Sequence, residues 1–401
     1  MPRSGWRKPV SDRRLPDLIS VGLLTRVFPP GLVDGVIAEA GRTQQRSRAL
    51  PARVVAYFAI AMALNADGSY EDVFADLVDG LSWSRGWQEV YPVPSASAIF
   101  QARARLGPEP VEQLFRRVAV PLARPQWGDS WLCGKRVLAI DGTTLDLADT
   151  AANVAEFGRP GSDRAERAAF PQARLVAVAE CGTHAVVDAV IGACTSGETT
   201  LACELVARLT PGVVLIADRG FYGFRLWQQA AATGADLLWR VKSTVKPTHV
   251  ETLPDGTWLA DISPSSGPGR RRATPLRVRV IDYDMDTAHE PDRGPYRLFT
   301  TLIDPGTAPA EELAAAYHRR WEIENVFDEL KTHQRGPRIV LRSKSADLVR
   351  QEIWGHLCCH YAIRTLMADT AEHAEKPPDR VSFTKALKLC RRSVTQGSFS
   401  P

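Results

Sequence analysis

Two aspartates in this 401-residue chain follow short apolar runs. Asp141 comes after Val137-Leu138-Ala139-Ile140 and before Gly142-Thr143-Thr144, and Asp218 comes after Val213–Ala217 and before Arg219-Gly220-Phe221. Carboxylates at the ends of buried strands project into the crevice outside an α/β sheet, where metals are commonly held; the alternative for each is a turn cap. A third acid lies in the helical pattern Ala308–His333, within Tyr317-His318-Arg319-Arg320-Trp321-Glu322-Ile323-Glu324-Asn325-Val326-Phe327-Asp328-Glu329-Leu330-Lys331. At about 100° per residue, Tyr317, Arg320, Glu324 and Lys331 fall in one stripe roughly 60° wide. A phenol, a guanidinium and an ammonium beside one carboxylate suit a phosphate, with Glu324 as a third metal ligand. The same stripe also fits a solvated face of i,i+4 pairs such as Arg320 with Glu324. Asp146 and Asp149 follow the first aspartate closely and remain alternative ligands.

The elements that must position these residues fall into successive stretches. Residues 1–14 form a basic arm, with five Lys and Arg against one Asp. From 15 to 125 apolar residues recur at helical spacing, as in Val54-Val55-Phe58-Ala59-Met62, which predicts a helical N-terminal domain. Within it, Ser95 as N-cap, Arg103 and Arg105 in the last turn and the Gly107-Pro108 stop punctuate one helix, followed by another near Val111–Ala119. That pair reads either as ordinary bundle packing or as a DNA-binding helix-turn-helix. From 126 to 236 the order is β, ββ, α, β, α, a mixed sheet with one antiparallel hairpin and crossover helices at Thr199–Leu209 and Phe224–Ala232. From 237 to 303 strands recur without helices, at Leu237–Val241, Thr257–Ile262, Leu276–Tyr283 and Tyr296–Ile303, and predict a β-rich insertion. From 304 to 401 the pattern is helical again, and the closing Ser398-Phe399-Ser400-Pro401 is a helix start with no helix after it, so a shortened C-terminus is expected.

The spacing Tyr317-x2-Arg320-x3-Glu324-x6-Lys331 matches the Tyr-Arg-Glu-Lys signature of the insertion-sequence-4 family of DDE transposases. Asp141-Gly-Thr and Asp218-Arg-Gly-Phe-Tyr resemble that family's two aspartate motifs. The resemblance covers about residues 15–395 and implies a ribonuclease-H-like catalytic core carrying the β-rich insertion between Asp218 and Glu324, which stand 106 residues apart. It implies a DNA transposase that cuts at the ends of its element and joins 3′-hydroxyls to target DNA. Asp141, Asp218 and Glu324 would hold two Mg²⁺ or Mn²⁺ ions. Without metal, the three carboxylates repel one another and their pKa values are expected to rise. The resemblance further implies that Tyr317, Arg320 and Lys331 grip DNA phosphates, and that an aromatic of the insertion takes up a base flipped from a hairpin end. Tyr296 is best placed for that, ahead of Trp239 and Trp258. The implied partners are terminal inverted repeats, target DNA and a second copy of the chain, in the bacterial cytoplasm at the nucleoid. The rival readings are an inactive DNA-binding remnant and a metal-dependent nuclease without strand transfer.

Composition bounds the rest. With 44% apolar residues the chain can bury real cores, and no run is long enough to cross a membrane. Seven scattered cysteines without a CxxC pair read as reduced thiols. The formal net charge of +4 conceals basic ends: residues 335–401 carry twelve Lys and Arg against six Asp and Glu, which suits a polyanion partner. Gly192-Ala-Cys-Thr-Ser-Gly-Glu198-Thr199 imitates a phosphate loop, but Glu198 stands where its lysine belongs, so nucleotide binding is rejected. His356 and His360 share helical i,i+4 spacing in apolar surroundings and read as packing rather than zinc ligands.

Overall fold

The computed structural model describes residues 19–44, 50–66, 68–75, 77, 93–160, 168–264, 274–283, 296–336 and 340–395. The basic arm at 1–14 and the closing residues 396–401 lie outside them.

Strand β1 (Trp131–Leu132) turns through Cys133 and Gly134, both at positive φ, into the long β2 (Lys135–Leu147). β2 pairs antiparallel with β3 (Gln172–Glu180), and β3 pairs antiparallel with β4 (Val186–Ala193). β5 (Val213–Ala217) then lies parallel to β2, and β6 (Asp236–Val241) lies parallel to β5. Parallel neighbours need crossovers, which the helices Glu198–Val206 and Phe224–Ala231 supply. The resulting order β4-β3-β2-β5-β6 is the ribonuclease-H-like sheet, as anticipated.

The β-rich insertion does not open at 237 as expected. Leu237–Val241 belongs to β6, the fifth strand of that sheet, and Leu237, Leu238 and Trp239 are all fully buried, as befits a strand covered on both faces. The remaining strands are β7 (Thr248–Thr252), β8 (Trp258–Ile262), β9 (Leu276–Tyr283) and β10 (Tyr296–Thr300). β10 pairs antiparallel with β6, β9 with β10, β8 with β9 and β7 with β8. The insertion therefore prolongs the β4-β3-β2-β5-β6 sheet. β11 (Val340–Leu341) pairs parallel to the far end of β2.

Side chains alternate across this sheet. One face, through Leu138, Ile140, Leu215, Ala217, Leu237 and Trp239, packs on the two crossover helices. The other, through Val137, Ala139, Val214, Ile216 and Leu238, shares a larger core with the N-terminal helices and the long helix Ala346–His373. Contact there is close: a Cβ on Gly355 would stand 2.3 Å from the Ala59 carbonyl oxygen, so only glycine lets the helix Ala52–Ala61 lie against the long one.

The helix Ala96–Leu106 is capped as the sequence predicts, with the Ser95 hydroxyl accepting from Ala98 N and Gly107 at φ +73. Arg103, however, points inward rather than towards a DNA groove. It is fully buried and donates to Gln351 Oε1 at 2.8 Å, Tyr70 Oη at 2.6 Å and Ser343 Oγ at 3.2 Å. This cation joins the N-terminal helices to the long helix.

Candidate active site

The register of two parallel strands creates the site. Ile140 pairs with Ala217, the last residue of β5, so the residues that follow them, Asp141 and Asp218, are neighbours. Neighbouring strands lie about 4.8 Å apart. Alternation turns both carboxylates to the face opposite Ile140 and Ala217, the face of the larger core. Asp141 is not at a strand end, as the short apolar run suggested. β2 continues to Leu147, and only its β5 neighbour stops. The longer β2 is held by β3 and β11 beyond that point.

Over this face the expected single helix Ala308–His333 is three pieces. Ala310–His318 ends in i→i−3 hydrogen bonds from Arg319, Arg320, Glu322 and Ile323; the chain continues as Trp321–Asp328 and then widens into a π-helical turn, Glu329–Gln334. The tightening and the widening oppose each other, and the predicted stripe still converges on the aspartates. The Tyr317 hydroxyl donates to Asp218 Oδ1 at 3.4 Å. Arg320 donates from Nη1 to Asp141 Oδ2 and from Nη2 to Glu324 Oε1, both at 3.3 Å. Lys331 Nζ donates at 3.2 Å to the hydroxyl of Thr143, two residues beyond Asp141 on the same face of β2. Tyr317 and Arg320 are buried, whereas Glu324 and Lys331 are exposed.

Burial pushes the Asp141 carboxyl up to about 6, against the pull of the Gly142 N–H and Arg320, with Glu198 and Glu324 adding to the rise. Burial likewise pushes the Tyr317 phenol well above its ordinary range, helped by Asp218. Arg320 keeps its charge above the usual value despite burial, because Tyr317, Asp218, Asp141 and Glu324 surround it. Three hard oxygen donors on one face, one of them a half-buried carboxyl short of positive charge, are chemically suited to Mg²⁺ or Mn²⁺. Arg320 stands between two of these donors, and among the described residues no three His, Cys, Asp or Glu groups are close enough to hold a metal as they stand.

The other carboxylates near β2 have different partners. Asp146 accepts from Gln172 Nε2 at 2.7 Å, and Asp149 pairs with Arg159. Glu198, which ruled out the phosphate loop, accepts from Arg174 Nη1 at 3.1 Å and fills the space beside Gly142, where a Cβ would stand 2.7 Å from its carboxyl group. The glycine of the Asp141-Gly142 pair thus admits a further carboxylate beside the site. His356 and His360 are buried in the long helix, His360 Nε2 lying 3.0 Å from Glu329 Oε2.

Strand parity separates the aromatics. Trp239 is fully buried on the crossover-helix face with Trp227, and Trp258 packs on that face too, stacked on His249 at 5.4 Å. Tyr296 belongs to the face that carries Asp141 and Asp218. Its ring lies 5.6 Å from that of Tyr283, which meets His318 edge-on at 6.1 Å, so aromatic rings lead from Tyr296 to the residue beside Tyr317.

Sequence reading missed two groups here. The Arg240 guanidinium lies 3.7 Å over the Tyr296 ring and close enough to Tyr317 to act on its phenol. Its signal is parity with Leu238 on β6, legible only once the strand's inner face is known. Trp321, beside Arg320, is 55% exposed, with the Arg320 guanidinium 4.9 Å over its ring. A lone exposed Trp on a polar helix was its only signal.

Residues 18–116 match the family model of the insertion element 4 transposase N-terminal region, and residues 132–362 match that of the transposase DDE domain. Transposase InsG for insertion sequence element IS4 of Escherichia coli (strain K12) is 28% identical over 377 residues, covering 91% of this chain and 81% of the relative. Putative transposase InsZ of the same organism is 26% identical over 230 residues, covering 57% of this chain and 74% of the relative. A cryo-EM structure of the piggyBac transposase synaptic complex with hairpin DNA aligns over 94% of this chain and 80% of that one, with a TM-score of 0.41 and 11% identity.

Proposed function

The chain belongs to the DDE transposases of insertion sequences, and from that premise we propose that it excises its own element by cutting at the ends and joins the freed 3′-hydroxyls to target DNA. The observation that carries this reading is the placing of Asp141 beside Asp218 by the β2–β5 register, with Arg320 reaching from Glu324 to Asp141 above them.

Asp141, Asp218 and Glu324 would hold two divalent ions, Mg²⁺ or Mn²⁺. When bound, these supply positive charge to an in-line displacement at phosphorus, in which one P–O bond forms as another breaks. Without them, Arg320 serves as counter-charge to Asp141 and Glu324. Tyr317, Arg320 and Lys331 grip phosphates of the element end: Lys331 is exposed for a phosphate, and Arg320 presents a planar fork. Arg240 extends this cationic surface towards Tyr296, the aromatic that receives a base flipped from a hairpin end. Two copies pair two ends, the partner is DNA, and the place of action is the bacterial nucleoid. Among the described residues no helix is long and apolar enough to cross a membrane.

The test is Mg²⁺-dependent cleavage of the inverted-repeat DNA that flanks the gene, comparing the wild type with Asp141→Ala, Asp218→Ala and Glu324→Gln. Loss of cleavage in all three variants, and joined product from the wild type, is expected. Cleavage without joining would leave a nuclease, and binding without cleavage an inactive remnant.

A further inference from the structure

The helix carrying Glu324 is short, Trp321–Asp328, and lies between the tight turn at 319–320 and the π-helical turn Glu329–Gln334. Eight residues with irregular ends have little stiffness of their own. Ile323, Val326 and Phe327 are buried beneath it and set which face points inward, while the finer rotation about that face is left to directional polar contacts. On another side the helix faces a polar cavity of about 510 Å³, lined among others by Glu322, Asn325, Asp328, Asp379 and Phe383.

Across that side runs a chain of directional contacts. Glu322, about 200° round the helix from Glu324, accepts from the Gly182 N–H and lies 3.4 Å from His184 Nε2. Glu329, just past the last helical residue, accepts from Arg364 Nε at 3.1 Å and lies 3.0 Å from His360 Nε2. Arg364 Nη2 reaches Glu329 and also donates to His184 Nδ1 at 2.8 Å. With Nδ1 accepting, the ring proton sits on Nε2 and points to Glu322. Glu329, Arg364, His184 and Glu322 thus tie both ends of the helix to the β3–β4 turn and to the long helix. His184 is held for this at φ +58, in the left-handed region.

We propose that His184 is a positioning residue for Glu324: bridging Arg364 and Glu322, it fixes the rotation of the helix Trp321–Asp328 so that Glu324 faces the aspartates. The catalytic part of this statement rests on the function proposed above; the mechanical part does not.

The test uses the full chain with His184→Asn. Asparagine tolerates the left-handed backbone but is too short to span Arg364 and Glu322, so the turn is kept and the strap cut. Amide hydrogen exchange at residues 323–328 should quicken at least tenfold while exchange in β2 is unchanged. Single-turnover Mg²⁺-dependent cleavage of the flanking inverted-repeat duplex should fall at least tenfold, with affinity for that duplex kept within about twofold. Glu322→Leu cuts the strap from the helix side, leaves the turn sequence intact, and should repeat the pattern. Unchanged exchange in both variants would overturn the proposal, as would equal loss of binding and cleavage. Should the wild type cut no DNA, the proposed function fails, and the exchange measurement still decides whether the strap holds the helix.

Discussion

Arg320 stands against Asp141, its Nη1 3.3 Å from Oδ2, and this buried cation only partly offsets the cost of burying the carboxylate. The Asp141 carboxyl titrates at about 6, above its unfolded value near 3.9. A raised carboxyl gives stability that is complete below the unfolded value and lost as pH climbs through the folded one. Asp141→Asn should therefore match the wild type near pH 4 and exceed it by about 1–3 kcal/mol above pH 7 in the presence of a chelator, while losing cleavage. Denaturant unfolding at the two pH values measures this. A gap that does not change with pH would sink the electrostatic account.

Glu324→Gln keeps the side chain's size and its acceptor oxygen for Arg320 but removes the charge of the proposed metal ligand. Mg²⁺-dependent cleavage should be lost with end binding largely intact, because the phosphate-facing cations remain. Gel-shift titration beside a cleavage assay separates the two. Equal cleavage by variant and wild type would remove Glu324 from the active site.

Lys331→Ala and Arg240→Ala should each weaken binding to the element end and reduce the slope of log K against log salt by about one counterion. A measured slope that stays at the wild-type value would mean that the altered side chain meets no phosphate.

Tyr296 and Trp239 should behave oppositely. Trp239→Ala empties a fully buried site and should cost about 3–5 kcal/mol of stability. Tyr296→Ala, at a partly exposed ring, should cost much less and instead slow hairpin formation or reopening, read by following hairpin ends on a denaturing gel. Normal hairpin processing by Tyr296→Ala would assign base capture to another group.

Arg103→Ala leaves Gln351 Oε1 and Ser343 Oγ short of a buried donor and should destabilise the fold by about 1–3 kcal/mol for each acceptor left unpaired. The salt dependence of DNA binding by the folded fraction should not change. A smaller salt slope would place Arg103 among the residues that meet DNA.

The sequence announced the acids and cations of the site because each lies in a local pattern: an apolar run before each aspartate, and a helical stripe for Tyr317, Arg320, Glu324 and Lys331. What set Asp141 beside Asp218 was register, which belongs to two strands far apart in the chain and leaves no mark in either. Arg240 escaped notice for the same reason, since one arginine in a strand does not say which face it serves. Arg103 was legible as a last-turn cation, but its inward turn depends on Gln351 and Ser343, some 240 residues away. The strap behind Glu324 hides in the densest run of charge, where Glu322 and Glu329 look like solvated neighbours until His184 and Arg364 meet them.

The insertion joins the catalytic sheet through the β6–β10 pairing, so Tyr296 and the aspartates stand on one continuous hydrogen-bonded plate with no hinge between them. Such a plate acts as a ruler. If Tyr296 takes up an extruded base, the number of nucleotides between that base and the scissile phosphate is set by strand spacing, and changing it requires adding or removing a whole strand, not adjusting a loop.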